Sequence, residues 1–147
     1  MEIAILGLGC FWGPEIKFSK LNGIIKTEVG YCGGNSSKTT YKEVCTGTTN
    51  HAEVVKLDFD SKIISYEKIL KFFFEIHDPT TLNSQGPDFG TQYRSEIFYF
   101  DDRQKEIAEK IIKEENIKFL EKIVTKISLV KNYCPAEEYH QKYLEKR

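Results

Sequence analysis

The chain has 147 residues, of which 40% are hydrophobic and 29% are charged. This is the composition of an ordinary globular protein, so it excludes a disordered or membrane-embedded chain, and the length predicts one domain over residues 1–147. The 21 basic and 22 acidic residues leave a formal net charge of -1, which removes any electrostatic reason to expect nucleic acid or an anionic membrane as partner.

The first half of the chain predicts three strands and one helix. Residues 2–8 form a short apolar run, and Pro14 suits the first turn of a helix that ends at Asn22-Gly23. Residues 24–31 alternate loosely before a glycine-rich loop, and residues 52–59 alternate more clearly. Both of these segments are therefore predicted to be strands.

The second half predicts two capped helices, at Ser65 and Asp101, with a long loop over residues 80–94 between them. Long ordered loops in compact domains are often functional. The helix that Asp101 caps is charged and covers residues 102–116. The remaining predicted elements are strands over 95–100 and 123–130 and a terminal helix over 136–146. This order predicts an α+β fold, a two-layer α/β sandwich with a ferredoxin-like (split βαβ) core.

The four cysteines are expected to be thiols. No basic segment precedes the short N-terminal apolar run, so we predict no secretory signal and a cytoplasmic location, where cysteines stay reduced. No pair has the CxxC spacing of a zinc knuckle or a thioredoxin-type site. An active cysteine in this chain would therefore act as a thiol.

Cys10 lies in the segment GCFWG, where the first strand leads into the first helix. A free cysteine is commonly a small buried hydrophobic residue. Against that interpretation, the N–H groups and positive dipole at a helix start favour thiolate over thiol, so Cys10 is expected to ionise easily.

Phe11 and Trp12 follow directly, and they have two interpretations. Aromatic residues are usually part of the core, yet two neighbours at a strand–helix junction do not easily face the same core. Beside a nucleophile, two aromatic faces make a pocket for an apolar group, and a methyl group would suit it.

Glu53, in the segment HAE, is either an exposed strand-edge residue or a buried one. In an apolar site, desolvation would favour its protonated form, which a general acid needs at neutral pH. HAE also matches the first half of a zinc deaminase signature, but the PCxxC half is absent, so no metal is expected.

The combined segments resemble peptide methionine sulfoxide reductase A over nearly the whole chain. The resemblance implies a single catalytic reductase domain over residues 1–147 and an enzyme that reduces methionine S-sulfoxide, free or in proteins, to methionine with thiols. The segments are GCFWG (9–13), GYCGG (30–34), YKEVC (41–45), HAEVV (51–55), HDPTTLNSQGPDFGTQYRS (77–95) and PAEEYHQKY (135–143).

The resemblance also implies roles by position. Cys10 would be the nucleophile that passes through a sulfenic acid, and Glu53 the proton donor. Tyr41 and Tyr93 would hold the sulfoxide oxygen, although tyrosines of this kind are otherwise commonly core residues with a paired hydroxyl. Three residues would bind substrate: Phe11 and Trp12 as the wall against the methyl group, and Asp88 near the main-chain nitrogen.

No bound cofactor is implied, but an external thiol reductant is: thioredoxin, glutaredoxin or glutathione. The expected partners are this reductant and, as substrate, either oxidised proteins or free methionine sulfoxide. The enzyme itself is expected to be a monomer. Two alternatives stay open on the residues alone, namely a one-cysteine thiol peroxidase and a redox-sensing methionine-binding module. A peroxidase would consume hydrogen peroxide faster than the sulfoxide. A redox-sensing module would not catalyse multiple turnovers.

Several positions depart from the family pattern. The sequence reaches Arg147 without a glycine-rich tail that carries resolving cysteines. Cys134 stands where the family usually has an aromatic residue and Cys32 where a small or apolar residue is common, so either is a candidate resolving thiol. Cys45 recurs in the family and is expected to be structural, and Asn50 replaces a usual glycine.

Overall fold

A computed structural model describes residues 2–146, which form a six-stranded sheet with helices on one face and a small separate hairpin. The strands are β1 (Glu2–Leu8), β2 (Ile24–Cys32), β3 (Ala52–Phe59), β4 (Ser84–Gln85), β5 (Asp88–Phe89), β6 (Ser95–Tyr99), β7 (Lys126–Leu129) and β8 (Cys134–Pro135). The helices are α1 (Trp12–Ser19), α2 (Tyr41–Cys45), α3 (Tyr66–Glu75) and α4 (Asp102–Lys118), with 3-10 turns at Thr91–Tyr93 and Glu138–His140.

The sheet has the strand order β7-β6-β1-β3-β2-β8, and β4 pairs with β5 in the separate hairpin. Every pair in the large sheet is antiparallel except β6 with β7. The register places Tyr31 of β2 opposite Glu53 of β3. The antiparallel pairing of Leu6 in β1 with Val55 in β3 brings the first residues of β3 next to the end of β1.

Alternation along the strands separates two cores. On one face, Leu6 and Val55 pack with the helices, while Ile5 and Val54 point to the opposite face. The larger core contains apolar residues of α1, α3 and α4, whereas the smaller one is built from strand residues and the segment before β8. The mixed α/β architecture is thereby confirmed, with its helices on one side of the sheet.

The predicted helix caps are present. The side chain of Ser65 accepts a hydrogen bond from the Lys68 N–H at 3.0 Å, and that of Asp101 accepts one from the Gln104 N–H at 2.9 Å. Each cap satisfies one of the unpaired donors in a first helical turn. Within residues 2–146, no helix combines the length and apolar character needed to cross a membrane.

The predicted terminal helix over 136–146 is wrong. Only the 3-10 turn Glu138–His140 forms there, because the segment uses its hydrogen bonds to dock on β2 and α1 instead. The Gln141 side chain pairs with both the N–H and the C=O of Val29, and the Lys142 N–H donates to Glu15 at 2.7 Å. Lys142 adopts φ 52, which interrupts a right-handed helix.

Several short elements escaped prediction, and β8 is one of them. The five-residue helix α2 is too short to show helical periodicity, although Thr40 caps it by accepting from the Glu43 N–H. The predicted loop over 80–94 contains the β4–β5 hairpin and the 3-10 turn that ends at Tyr93. Tight turns of this kind depend on local hydrogen bonds rather than on an apolar pattern.

Candidate active site

Cys10 lies between the end of β1 and the start of α1, half-buried. Gly9 reaches this turn with φ 95, a conformation that favours glycine. A Cβ atom at Gly9 would come within 2.8 Å of Gln85 in the hairpin. The glycine therefore lets the β4–β5 hairpin pack directly against the residue that precedes the thiol.

The expectation that Cys10 ionises easily is wrong for the resting site. Burial raises the pKa of the Cys10 thiol to about 11. The hydrogen bond from the Trp12 backbone lowers this pKa, and the negative charges of Glu53 and Asp88 raise it. Desolvation disfavours the charged thiolate more than the helix start favours it. Cys10 therefore rests as a thiol at neutral pH.

Glu53 lies in β3 on the helix-covered face, only 1% exposed. One carboxyl oxygen accepts a hydrogen bond from the Phe11 N–H at 3.3 Å, and the other has no partner among the described residues. Burial raises the pKa of Glu53 to about 8, the Phe11 hydrogen bond opposes that rise, and Asp88 adds to it. At pH 7 this carboxyl is therefore mainly protonated.

The turn before β3 keeps its shape without the glycine that is usual in the family. Asn50 adopts φ 62, in the left-handed region where asparagine is tolerated best after glycine. The Arg94 guanidinium also donates to the Asn50 carbonyl at 3.0 Å. The replacement therefore does not displace Glu53.

Phe11 and Trp12 diverge at the start of α1. Phe11 is buried at 1% exposure and packs against Tyr31 and His140, with ring centroids 5.8 and 5.3 Å away. Trp12 is only partly buried and stacks on Tyr143 at 3.8 Å with the rings 9° apart. One aromatic thus joins the core while the other stays partly exposed at the start of α1.

The two tyrosines and Asp88 interact electrostatically with Glu53. Burial raises the pKa of Tyr93 to about 12, and the charge of Glu53 adds to that rise. Burial also raises the pKa of Tyr41, and Cys45 and Glu53 contribute to the effect. Asp88, in β5, acts electrostatically on Glu53, Cys10 and Tyr93, so the hairpin contributes to the site.

The C-terminal segment contributes residues for which the sequence predicted no role. His140 is 1% exposed and accepts a hydrogen bond at Nδ1 from the Trp12 indole at 3.1 Å. Glu137 accepts from the Tyr31 hydroxyl and from the Tyr41 N–H, each at 2.9 Å. The family segment PAEEYHQKY contains both residues, but its pattern did not indicate that they would contact Trp12, Tyr31 and Tyr41.

The other cysteines occupy three different environments. Cys32 is fully buried on the opposite face of the sheet, where its thiol contacts the Lys131 carbonyl at 3.4 Å, so the structure does not bring it to Cys10. Cys134 is half-buried in β8, with its thiol 3.7 Å from the Thr39 carbonyl. Cys45 is exposed at the end of α2.

The fold and this site define a thiol-dependent oxidoreductase with a half-buried cysteine beside a buried carboxyl. Residues 2–147 match the family model described as peptide methionine sulfoxide reductase. The chain is 82% identical, over 147 residues and the full length of both proteins, to peptide methionine sulfoxide reductase MsrA of Pelagibacter ubique (strain HTCC1062). The chain belongs to the peptide methionine sulfoxide reductase family, as its motifs predicted, and it is an enzyme that reduces methionine sulfoxide with thiols.

Solved structures agree with this assignment. The reduced form of Mxr1 from Saccharomyces cerevisiae is 45% identical with a TM-score of 0.96, and the match covers 99% of this chain and 85% of that one. Mxr1 in complex with Trx2 is 30% identical with a TM-score of 0.70, covering 97% of this chain and 84% of that one.

No group of three or more His, Cys, Asp or Glu side chains in residues 2–146 could hold a metal ion.

Proposed function

We propose that the enzyme reduces the S epimer of methionine sulfoxide, with Cys10 as nucleophile and Glu53 as proton donor. The observation that carries this proposal is the buried Glu53 carboxyl, whose second oxygen has no partner among residues 2–146 and which neighbours the Cys10 turn through the Phe11 N–H. A neutral acid is what the sulfoxide oxygen needs, because that oxygen leaves sulfur only when it gains a proton.

Cys10 and Glu53 together carry out the oxygen transfer in this proposal. The Cys10 sulfur attacks the sulfoxide sulfur and loses its proton while Glu53 protonates the oxygen. This attack forms a sulfur–sulfur bond. That bond and the sulfur–oxygen bond of the substrate then break as the hydroxyl group bonds to the Cys10 sulfur, so methionine leaves and Cys10 becomes a sulfenic acid. The cysteine sulfur is oxidised, the substrate sulfur is reduced, and one proton returns to Glu53.

The surrounding residues orient the substrate in this proposal. Trp12 presents its free face to the methyl group, supported by Phe11, which anchors the turn in the core. The hydroxyls of Tyr41 and Tyr93 donate to the sulfoxide oxygen, and burial, which raises the pKa of both, keeps them protonated. Asp88 accepts from the main-chain nitrogen of the substrate.

Ionisation of Cys10 has to accompany substrate binding rather than precede it. The hydrogen bond from the Trp12 backbone lowers the pKa of Cys10, which burial otherwise raises to about 11. Protonation of Glu53 removes one of the negative charges that oppose the thiolate. The neutral acid therefore serves both the leaving oxygen and the attacking sulfur.

The reductant in this proposal is a thiol protein of the thioredoxin class, with glutaredoxin or glutathione as alternatives. The complex of the relative Mxr1 with Trx2 supports a thioredoxin partner. The sequence suggests Cys134 and Cys32 as internal thiols for reduction of the sulfenic acid. Cys134, half-buried in β8, remains a candidate, whereas Cys32 is buried on the opposite face of the sheet. Oxidised proteins or free methionine sulfoxide are the proposed substrates.

Residues 1–147 are proposed to act as one monomeric catalytic domain in the cytoplasm. One large sheet whose strands run from Glu2 to Pro135 supports the single domain. The order β6-β1-β3-β2, with α1 and α3 as the crossings, supports a ferredoxin-like core. Sedimentation tests the monomer, since a dimer at micromolar concentration contradicts it, and cell fractionation tests the location.

An assay resolved by epimer tests the proposed reaction. Blocked methionine sulfoxide of each configuration is incubated with the enzyme and dithiothreitol, and we expect turnover of the S epimer only. Cys10→Ser should abolish turnover, while Glu121→Gln, far from the site in sequence and exposed, should leave it unchanged. Turnover of the R epimer, or undiminished turnover in Cys10→Ser, would falsify the proposal.

A one-cysteine peroxidase is less well supported by the site. Peroxide reduction uses a thiolate, and burial raises the pKa of Cys10 to about 11. The same assay with hydrogen peroxide should therefore show slower consumption than with the sulfoxide. Faster consumption of peroxide would favour the alternative.

A further inference from the structure

Arg94 lies behind the candidate site, on the face of the sheet opposite the helices. It is 8% exposed and forms an ion pair with Glu96 of β6. Glu96 is two positions before Phe98, a residue of the smaller core, so the two side chains share this face. Glu53 projects from the helix-covered face, so Arg94 can act on the proposed reaction only through other residues.

The Arg94 guanidinium binds three oxygens from different parts of the chain. Nε donates to Glu96 Oε1 at 2.6 Å, Nη1 donates to the Thr91 carbonyl at 2.8 Å, and Nη2 donates to the Asn50 carbonyl at 3.0 Å. The donors of a guanidinium lie in one plane at fixed angles, so these oxygens are held at fixed positions relative to each other. An ammonium group lacks this geometry, because its donors radiate from a single atom.

Two of these oxygens belong to the segments that carry the proposed proton donor and one oxygen-binding hydroxyl. Thr91 begins the 3-10 turn that ends at Tyr93. Asn50 lies two residues before β3, in which Glu53 is the second residue. Arg94 therefore connects the Tyr93 turn to the entry of the Glu53 strand, although 44 residues separate Arg94 from Asn50.

Arg94 is itself held in place. Glu96 also accepts a hydrogen bond from the Ser128 hydroxyl of β7 at 2.5 Å, so each of its carboxyl oxygens has a partner. The main chains pack closely here as well, since a Cβ atom at Gly7 of β1 would lie 3.3 Å from the Arg94 carbonyl and 3.4 Å from the Glu53 carbonyl. Because both segments contact β1 at Gly7, a displacement of Arg94 would affect the strand that carries Glu53.

We propose that Arg94 is a positioning residue, whose guanidinium fixes the entry of β3 relative to the Thr91–Tyr93 turn and thereby sets the Glu53 carboxyl against the Tyr93 hydroxyl. The inference rests on the roles proposed above for Glu53 and Tyr93. Both groups have to meet one sulfoxide oxygen, and donors to a developing charge act only within narrow limits of distance. A link that holds their two backbones together therefore bears directly on kcat.

Arg94→Lys tests the inference, because lysine keeps the positive charge beside Glu96 but cannot bond both backbone carbonyls in the same geometry. We expect kcat for the S-sulfoxide to fall by roughly tenfold to 100-fold, with a smaller effect on KM. The pH profile should also move. A looser entry of β3 admits water to Glu53, whose pKa burial raises to about 8, so kcat/KM should fall at lower pH than in the wild type.

Arg94→Ala provides a second test by chemical rescue. The truncated side chain borders a cavity of about 260 Å³ that Asn50 and Thr91 line, and the exposed Lys126 lies at its rim, so small cations can enter from solution. Guanidinium at a non-denaturing concentration should raise kcat of this variant severalfold by replacing the lost donors, whereas ammonium should not. Absence of rescue, or equal rescue by both cations, would contradict a role of the guanidinium geometry.

Arg103→Lys is the matched control, because Arg103 pairs with Glu2 on the surface, and it should leave kcat and the pH profile unchanged. Circular dichroism and urea unfolding check the fold of every variant. Wild-type kcat in Arg94→Lys overturns the inference. A lower kcat with an unshifted pH profile also overturns it, since that result indicates a structural role only.

If Arg94→Lys does not fold, Ser128→Ala takes its place. Loss of the hydroxyl bond to Glu96 should lower kcat by roughly threefold with the same direction of pH shift, and an unchanged kcat and profile overturn the inference. Absence of S-epimer turnover in the wild-type enzyme would instead overturn the proposed reaction.

Discussion

Glu53 shows how the environment of one residue sets the chemistry of the site. Its carboxyl is 1% exposed, and only one of its oxygens has a hydrogen-bond partner within residues 2–146. Burial removes the water that would stabilise the carboxylate, so it raises the pKa of Glu53 to about 8. The residue can therefore hold a proton at neutral pH and release it during the reaction.

The pH dependence of activity follows from this shift. Because the donor is protonated below pH 8, kcat/KM for the S-sulfoxide should fall as pH rises through about 8. Glu53→Gln should lower kcat by roughly 100-fold to 10,000-fold and remove this fall. A pH series from 6 to 9.5 on both proteins is the measurement, and an unchanged wild-type profile across pH 8 would contradict the assignment.

Tyr93 is a second residue whose proposed role in the site can be tested. Burial raises the pKa of Tyr93 to about 12, and the charge of Glu53 adds to that rise, so the hydroxyl remains a donor throughout the assay range. Tyr93→Phe should lower kcat by roughly 10-fold to 100-fold with a smaller effect on KM, because one donor to the developing charge is lost. Tyr99→Phe, at the end of β6, is the matched control. Equal effects of the two changes would remove Tyr93 from the site.

At the scale of elements, the C-terminal segment completes the site by docking rather than by forming a helix. Glu15 of α1 is 2% exposed and accepts from the Thr27 hydroxyl at 2.8 Å and from the Lys142 N–H at 2.7 Å. This buried carboxyl ties the segment to α1 and β2. His140 and Tyr143, which contact Trp12, are thereby held next to Cys10.

Glu15→Ala should loosen that docking. It leaves the buried Thr27 hydroxyl and the partly buried Lys142 N–H without their acceptor, so the free energy of unfolding should fall by roughly 1 to 3 kcal/mol. Trp12 is the single tryptophan, and its emission should shift to longer wavelength as it loses the stacked and hydrogen-bonded partners.

The matched control for this change is Glu145→Ala, on the exposed part of the same segment. It should alter neither the free energy of unfolding nor the emission. A loss of stability in Glu15→Ala with an unchanged Trp12 spectrum would show that the docking does not position the indole.

For the whole molecule, the buried Glu53 carboxyl makes stability depend on pH. The unfolded chain ionises Glu53 near its ordinary pKa of 4.5, while the folded protein keeps the proton up to about 8. The residue therefore contributes most to stability below pH 4.5, and this contribution is lost between pH 4.5 and 8. At pH 7 the loss amounts to about 3 kcal/mol.

Glu53→Gln separates this effect from all other titrations. The variant should be close to the wild type in stability at pH 4.5 and gain on it by about 3 kcal/mol at pH 7, since glutamine has no proton to retain. Urea unfolding of both proteins at several pH values measures the difference. A constant difference across this range would mean that Glu53 is ionised in the folded protein.

The sequence by itself determined the elements whose signals are local. Strand β1 showed a short apolar run and β3 showed apolar alternation. Ser65 and Asp101 indicated the caps of α3 and α4, and the segments around Cys10 and Glu53 identified the family. Local periodicity and capping act within a few residues, so they can be read without knowledge of the fold. The order of the elements also indicated the mixed architecture.

Only the tertiary structure decided the features that depend on distant contacts. Desolvation raises the pKa of Cys10 where the helix start alone predicted a lower one, and the hydrogen bonds of Glu15 and Gln141 replaced a predicted helix by a docked segment. Burial and long-range hydrogen bonds arise only when separate parts of the chain exclude water together.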